Sequence, residues 1–520
     1  MSERALPTPI GRIALPGDVR LWAVLIAAAL ATIVAGYFSS LAFAIVGAAT
    51  LVVFAYVSFR TPGAVLVLLV FAPLVDRYLI RTFVPAAFQG PANLLSEGLL
   101  VVAAGAIFVH ARASGRLRPA LNHPVVVLIA VFVGLQVVAA LLNGVRPTVA
   151  VFGILVTVDA FAVFVLARAV PYTERVGGIA AAGFVGLALV AAVLALGQVV
   201  LAPDILGLIT FSGRFEEGLR PGAFFIAQPN MLGAVLGMAI PFAAFSAAEA
   251  GIDRRRRIVS MAALFVLSLA LVYTFSRGTW LALAIALLVT GFAVDRRALT
   301  LAVATAVIAV VTAFVLPRGI LLPAGSQWSI DIGNATLGRI GAISQGNDLR
   351  FRFIENALPI VEDHPLIGAG PGTYGGGIAA RYGSRLYAAY RDGVSPADRT
   401  VDNYWLHVLV ESGIVGTVLL LGAMGWVIRQ LIAGARAARG LRRTLMAATA
   451  TTTILLGVAS VTEMLLEGNT TSFPLWFFVG LATLFVSRVP APTTVVAAPA
   501  APAAPGGIPS GPEPSVSPRA

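Results

Sequence analysis

The chain has 520 residues, of which 58% are hydrophobic and only 12% charged, with a mean hydropathy of +0.92. Soluble domains average about 45–50% apolar and about 25% charged residues, so this composition excludes a soluble enzyme, a secreted disulfide scaffold and a disordered chain, and specifies a polytopic membrane protein. The net charge is +12, every one of the 36 basic residues is arginine, and there is no cysteine, which excludes disulfides, thiolate metal sites and cysteine nucleophiles.

A spanning helix needs about 20 apolar residues. Candidate spans fall at 21–38, 41–58, 64–80, 95–111, 125–142, 149–167, 178–201, 230–248, 258–275, 279–294, 299–316, 404–428, 445–465 and 472–487. The first two are expected to form a hairpin around Ser39 and Ser40, and the first reads as a retained anchor rather than a cleaved signal. The expected fold class is all-α, a polytopic transmembrane helical bundle of about 12–14 spans with a large extracytoplasmic loop.

The arginines lie in short clusters between apolar runs, which reads as topology control rather than a nucleic-acid surface. With the N-terminus in the cytoplasm, 22 of the 36 arginines fall on the cytoplasmic side. Of the other 14, 8 lie in one long loop, where the positive-inside bias weakens. The chain then divides into a cytoplasmic segment 1–20, transmembrane helices over 21–316, an extracytoplasmic loop over 317–403, transmembrane helices over 404–488 and a tail over 489–520. The tail is rich in Ala and Pro and reads as disordered. Within the long loop, residues 350–363 read as an amphipathic helix that Pro359 kinks or ends halfway. A glycine-rich turn follows from Gly368 to Gly377.

Polar residues at the edge of a span need a reason, and four groups fall on the expected outer side. Arg214 and Arg220 precede Pro229 and Asn230, where a helix starts; they read as a loop anchor or as anion ligands. Arg277 sits in the break Thr274–Trp280, either snorkelling to the interface or binding a ligand. Arg350, Arg352, Glu362, Asp363 and His364 belong to the long loop and suit any charged surface helix as well as a site. Asp402, Asn403, His407 and Glu411 open a late span, with the last three on one helix face; Asp402 is a proton acceptor or a helix cap. Mid-span Asp159 reads as a structural hydrogen-bonding group or a proton-path group, with the former favoured. Glu97 reads as solvated, and His110 and His123 as structural.

A guanidinium is permanently charged and grips phosphate oxygens with a planar fork of donors. Several of them on one membrane face suit a lipid-borne diphosphate, whose departing charge fixed cations stabilise. A carboxylate or imidazole would take the proton of an acceptor hydroxyl. The sequence has no D-x-D pair and no nucleotide-binding fingerprint, so arginine is expected to take the place of a divalent cation.

At these residues the sequence resembles the O-antigen ligase and polymerase superfamily of bacterial envelope proteins. Four stretches carry the resemblance: Arg220-Pro-Gly with Gln-Pro-Asn-Met-Leu-Gly233, Phe275-Ser-Arg-Gly-Thr-Trp280, the run from Arg352 through His364 to Gly372, and Asp402-Asn-Tyr-Trp-Leu with Glu411-Ser-Gly-Ile-Val-Gly416. It implies a GT-C-like integral-membrane glycosyltransferase at the outer face of the bacterial cytoplasmic membrane. Such an enzyme takes a glycan from undecaprenyl diphosphate and passes it to an acceptor glycan or glycolipid, with no cofactor, no metal and no nucleic-acid partner. Carried over residue by residue, Arg220 and Arg277 bind the diphosphate, assisted by Arg214 or Arg352, with Asn230 and Asn403 as further substrate contacts. The family's His-Asn pair aligns with Asp402-Asn403, so an Asp stands where ligases have His, leaving ligase and polymerase both open. Asp402 would be the base or would orient His407. The alternative reading is a transporter for a small anion such as bicarbonate, which predicts polar midplane residues and broken helices.

Overall fold

A computed structural model describes residues 19–75, 80, 84, 95–201, 226, 228–317, 320, 349–386, 401–486 and 511. The described residues form helices and no strands. The N-terminal helices are α1 (Val19–Phe38), α2 (Ser40–Arg60) and α3 (Pro62–Phe71), the last continued by a 3-10 turn at Ala72–Leu74. Next come α4 (Leu95–Ala113), the short α5 (Leu117–Leu121), α6 (Pro124–Leu142), α7 (Pro147–Ala169) and α8 (Glu174–Val200). The middle of the chain supplies α9 (Pro229–Ala248), α10 (Arg254–Tyr273), α11 (Arg277–Ala293) and α12 (Arg296–Val315). Two loop helices, α13 (Leu349–Asp363) and α14 (Gly377–Tyr382), precede α15 (Tyr404–Ala437), α16 (Gly440–Ala459) and α17 (Asn469–Val486).

Among the described residues, each of the fourteen expected spans coincides at least in part with a helix, and nine of these helices are long and apolar enough to cross a membrane. Four are shorter, among them Pro62–Leu74 and Arg277–Ala293, and α16 is diluted by its threonines. The sequence punctuation explains the starts. Ser39, Thr173, Asp253 and Asp295 each accept a backbone N–H as caps, while α3, α6, α7 and α9 open on proline, which has no N–H to lose. The α1–α2 pair forms the expected hairpin, closed by a 2.8 Å hydrogen bond between Thr32 and Thr50.

The bundle is organised around α9, α16 and α17, whose side chains are mostly buried. Phe71, Phe184, Phe242, Phe477 and Phe478 stack edge and face where α3, α8, α9 and α17 meet. One end of the bundle is closed by charge: Arg442 pairs with Glu174 at 2.6 Å, Arg443 with Asp295 at 3.0 Å, and Glu249 accepts the Gly440 N–H at 2.9 Å. These loops all belong to the side that the arginine distribution assigns to the cytoplasm. The polar groups singled out above gather at the other end.

Candidate functional site

The chain makes an irregular excursion at that end, and glycine permits it. Gly413 interrupts α15 with φ 64°, a region that side-chain-bearing residues rarely adopt. The backbone groups freed by the break are paired with the preceding loop. Ile414 N–H donates to Pro365 O at 2.9 Å and Val415 N–H to Leu366 O at 3.1 Å, while Ala369 and Gly370 donate to Val410 O and Glu411 O at 2.8 and 3.0 Å. Irregular backbone survives at membrane depth only when it is satisfied in this way. The turn over 368–377 then lies between α6, α7 and α15. A Cβ on Gly153 of α7 would stand 2.4 Å from Gly372 N, so both residues must be glycine for helix and turn to touch. The loop helix α13 seals the outside through Phe353, Ala357 and Ile360, which pack with Tyr374, Val401 and Val410. It shows the expected amphipathic pattern, but runs through Pro359 to Asp363 rather than ending halfway.

Three ionisable side chains grip the turn. Glu411 accepts from Gly372 N–H and Tyr374 N–H, one to each carboxylate oxygen, both at 2.9 Å. His407 Nδ1 donates to Tyr374 O at 2.5 Å, and its Nε2 faces Glu411 at 3.6 Å. Glu467 accepts from Gly377 N–H at 3.0 Å. A cavity of about 30 Å³ beneath the turn is lined by Gln136, His407, Glu411 and Glu467, and more deeply by Phe132 and Trp476. It has room for about two water molecules and opens toward residues 460–468, which contribute Leu466 and Glu467 to its lining.

The mouth is built on residues 460–468, between α16 and α17. Tyr404 N–H donates to Ser460 O at 2.9 Å and Trp405 Nε1 to Gly457 O at 2.7 Å, seating the start of α15. A Cβ on Gly278 would lie 2.3 Å from Thr462 Oγ1, so the start of α11 rests on the same stretch. Asn230, at the start of α9, donates to Glu463. The corner before Arg277 is tightly set: Phe275 holds φ 51°, Thr274 Oγ1 accepts Ser276 N–H at 3.3 Å, and Trp280 Nε1 donates to Leu271 O at 3.0 Å. A left-handed non-glycine residue persists only where its surroundings over-determine it.

Of the residues expected from the sequence, Asn230, Arg277, Asp402, Asn403 and His407 thus stand at one end of the bundle, joined through residues 460–468. Arg277 and Asn230 are half-buried and Asp402 is exposed. Asn403, not Asp402, caps α15, accepting Leu406 N–H at 3.0 Å. Asn403 therefore precedes the helix, and only His407 and Glu411 face each other across one turn. Both ring nitrogens of His407 meet Tyr374 and Glu411. Arg214, Arg220 and the tail over 489–520, Gly511 apart, lie outside the described residues, as does about half of 317–400; Arg352 falls on α13 with its side chain undescribed, and so does Glu97 on α4. Asp159 accepts the N–H of its neighbour Ala160 at 2.6 Å, in keeping with the structural reading.

The sequence reading does not include Glu463 or Glu467. Their signal was present: two carboxylates four residues apart at the edge of an apolar run are as anomalous as Arg277, yet they fall where hydropathy marks only the end of a span.

Residues 262–421 match a family model described as O-Antigen ligase. The match covers three of the four stretches that carry the resemblance, from α10 through the broken part of α15. No curated protein matches the chain.

Proposed function

We propose that this chain, whose residues 262–421 carry an O-antigen ligase domain, transfers a glycan from undecaprenyl diphosphate to an acceptor glycan or glycolipid at the outer face of the cytoplasmic membrane. A multi-pass membrane protein with such a domain fits a glycosyltransferase of the ligase type; the donor, the face and the residue roles belong to this proposal. The observation that carries it is the convergence of Arg277, Asn230 and Asp402 on residues 460–468, at the bundle end opposite the Arg442–Glu174 and Arg443–Asp295 pairs.

In the proposed reaction, an acceptor hydroxyl oxygen attacks the anomeric carbon and its proton passes to Asp402. The bond from that carbon to the diphosphate oxygen breaks, and the electron pair leaves with the diphosphate. Arg277 and Arg220, assisted by Arg214 or Arg352, hold the departing charge, with Asn230 and Asn403 contacting donor or acceptor hydroxyls. A half-buried guanidinium acts in a lower dielectric than water, where each such contact counts for more.

The test is Arg277→Ala beside Arg277→Lys, after confirming membrane insertion, with transfer measured on a lipid-linked glycan in nanodiscs and surface polysaccharide inspected by gel. Alanine is expected to lower turnover by about 100-fold or more. Lysine keeps the charge without the fork and should recover part of it. An unchanged polysaccharide ladder in the alanine variant would refute the role of Arg277.

A further inference from the structure

The turn over 372–377 is held by more charge than backbone geometry alone requires. Glu411 has a side chain only 4% exposed and His407 one 13% exposed, inside an element that crosses a membrane. Burying such groups is costly unless they are fully paired. An amide side chain could accept one N–H here; only a carboxylate offers separate oxygens to Gly372 and Tyr374 while facing an imidazole.

We propose that Glu411, with His407, is a positioning residue for Asp402 that acts through the backbone of this turn. The inference rests on the reading of Asp402 as the proton acceptor. The connection is continuous. Glu411 fixes the N–H groups of Gly372 and Tyr374, and His407 fixes Tyr374 O. Gly375 O, the next carbonyl, accepts Val401 N–H at 2.9 Å, and the Val401 side chain is buried against Gly375, where a Cβ would stand 2.7 Å from Val401 Cγ2. Asp402 follows directly. On its other side, Asn403 caps α15 and Tyr404 N–H is held by Ser460 O. Its backbone is therefore fixed from both directions, and the upstream anchor is the turn. The turn also approaches the mouth at Gly376, whose Cβ would stand 2.9 Å from His407 Cε1 and 3.1 Å from Glu467 Oε1.

A displacement of about 1 Å in a reacting group can cost about 100-fold in rate. Three variants of the full-length protein in nanodiscs test the inference: Asp402→Asn, Glu411→Gln and Gly375→Ala. Glu411→Gln turns an amide N–H2 toward one of the two backbone donors and releases the turn. Gly375→Ala pushes Val401 directly and leaves Glu411 and His407 unchanged. Both are expected to lower kcat by about 100-fold while donor KM stays within about twofold, because Arg277 and Asn230 sit on other helices. In both, amide hydrogen exchange at Val401 should accelerate while the α16 interior stays protected. Full turnover in Glu411→Gln despite faster exchange at Val401 overturns the inference; should that variant fail to insert, Gly375→Ala decides by the same criterion. An active Asp402→Asn overturns the base assignment itself. An inactive Asp402→Asn beside active Glu411→Gln and Gly375→Ala overturns only the positioning role.

Discussion

His123 precedes α6 and does two jobs with one ring. Its Nδ1 accepts Val125 N–H at 3.3 Å, so Nε2 carries the proton and donates to Gln430 Oε1 at 3.2 Å. Burial, and then the guanidinium of Arg168, holds its pKa down to about 4, against the Gln430 hydrogen bond. A histidine whose folded pKa lies below its unfolded value of about 6.5 contributes stability above that pH, and the contribution is lost as pH falls from 6.5 toward 4. Thermal unfolding of the purified protein should therefore shift to lower temperature between pH 7 and pH 5. His123→Asn keeps an N-cap acceptor and should flatten that dependence; an equally steep loss in the variant removes His123 as its source. At this scale the sequence is legible in part. His123 reads correctly as structural, and Arg277 stands out because a lone arginine at an outer boundary runs against the charge bias. The exchange of roles between Asp402 and Asn403 is not legible, since either residue type caps a helix and only the backbone angles choose.

At the scale of elements, α15 is the informative case. Hydropathy registers one long apolar run after 404, and the break within it leaves no trace in the pattern because Gly413 and its neighbours stay small or apolar. What makes the break is pairing with residues 365–370, a contact across more than forty residues that periodicity does not encode. The break is of the kind a transport reading predicts, but its backbone groups are bonded to the loop. Gly413→Ala would place a Cβ 2.4 Å from Leu366 C and O at φ 64°, and left-handed strain alone costs roughly 1–3 kcal/mol. It should destabilise the protein by at least about 2 kcal/mol, read as a fall in thermal unfolding temperature in detergent. Gly422→Ala, on the same helix with nothing within 4 Å of the added carbon, should be neutral or mildly stabilising. Equal behaviour of the two variants would contradict the special status of residue 413.

For the whole molecule, the helices among the described residues that are long and apolar enough to span, and the gathering of basic clusters at one end, follow from composition and arginine placement, because the bilayer imposes a length and a charge rule on each segment independently. The absence of cysteine gives a clean background for testing which end faces outward. Arg146→Cys, exposed beside α7, should react in intact spheroplasts with a membrane-impermeant maleimide, and Arg256→Cys, 80% exposed in the basic first turn of α10, only after lysis. The reverse pattern inverts the orientation and with it the proposed location of the donor. The assembly of the mouth is beyond such rules: Asn230 and Glu463 are more than two hundred positions apart and meet only when three helices close around α16.

Because residues 460–468 seat both α11 and α15, the chain beyond 421 is no passive membrane anchor. A chimera that grafts only the stretch 262–421 onto a foreign scaffold would carry Arg277 and Asp402 with no shared floor beneath them, and would lack Glu463 and Glu467 altogether. If the proposed transfer holds, swapping acceptor or donor preference between related chains therefore calls for an exchange unit that extends through α17.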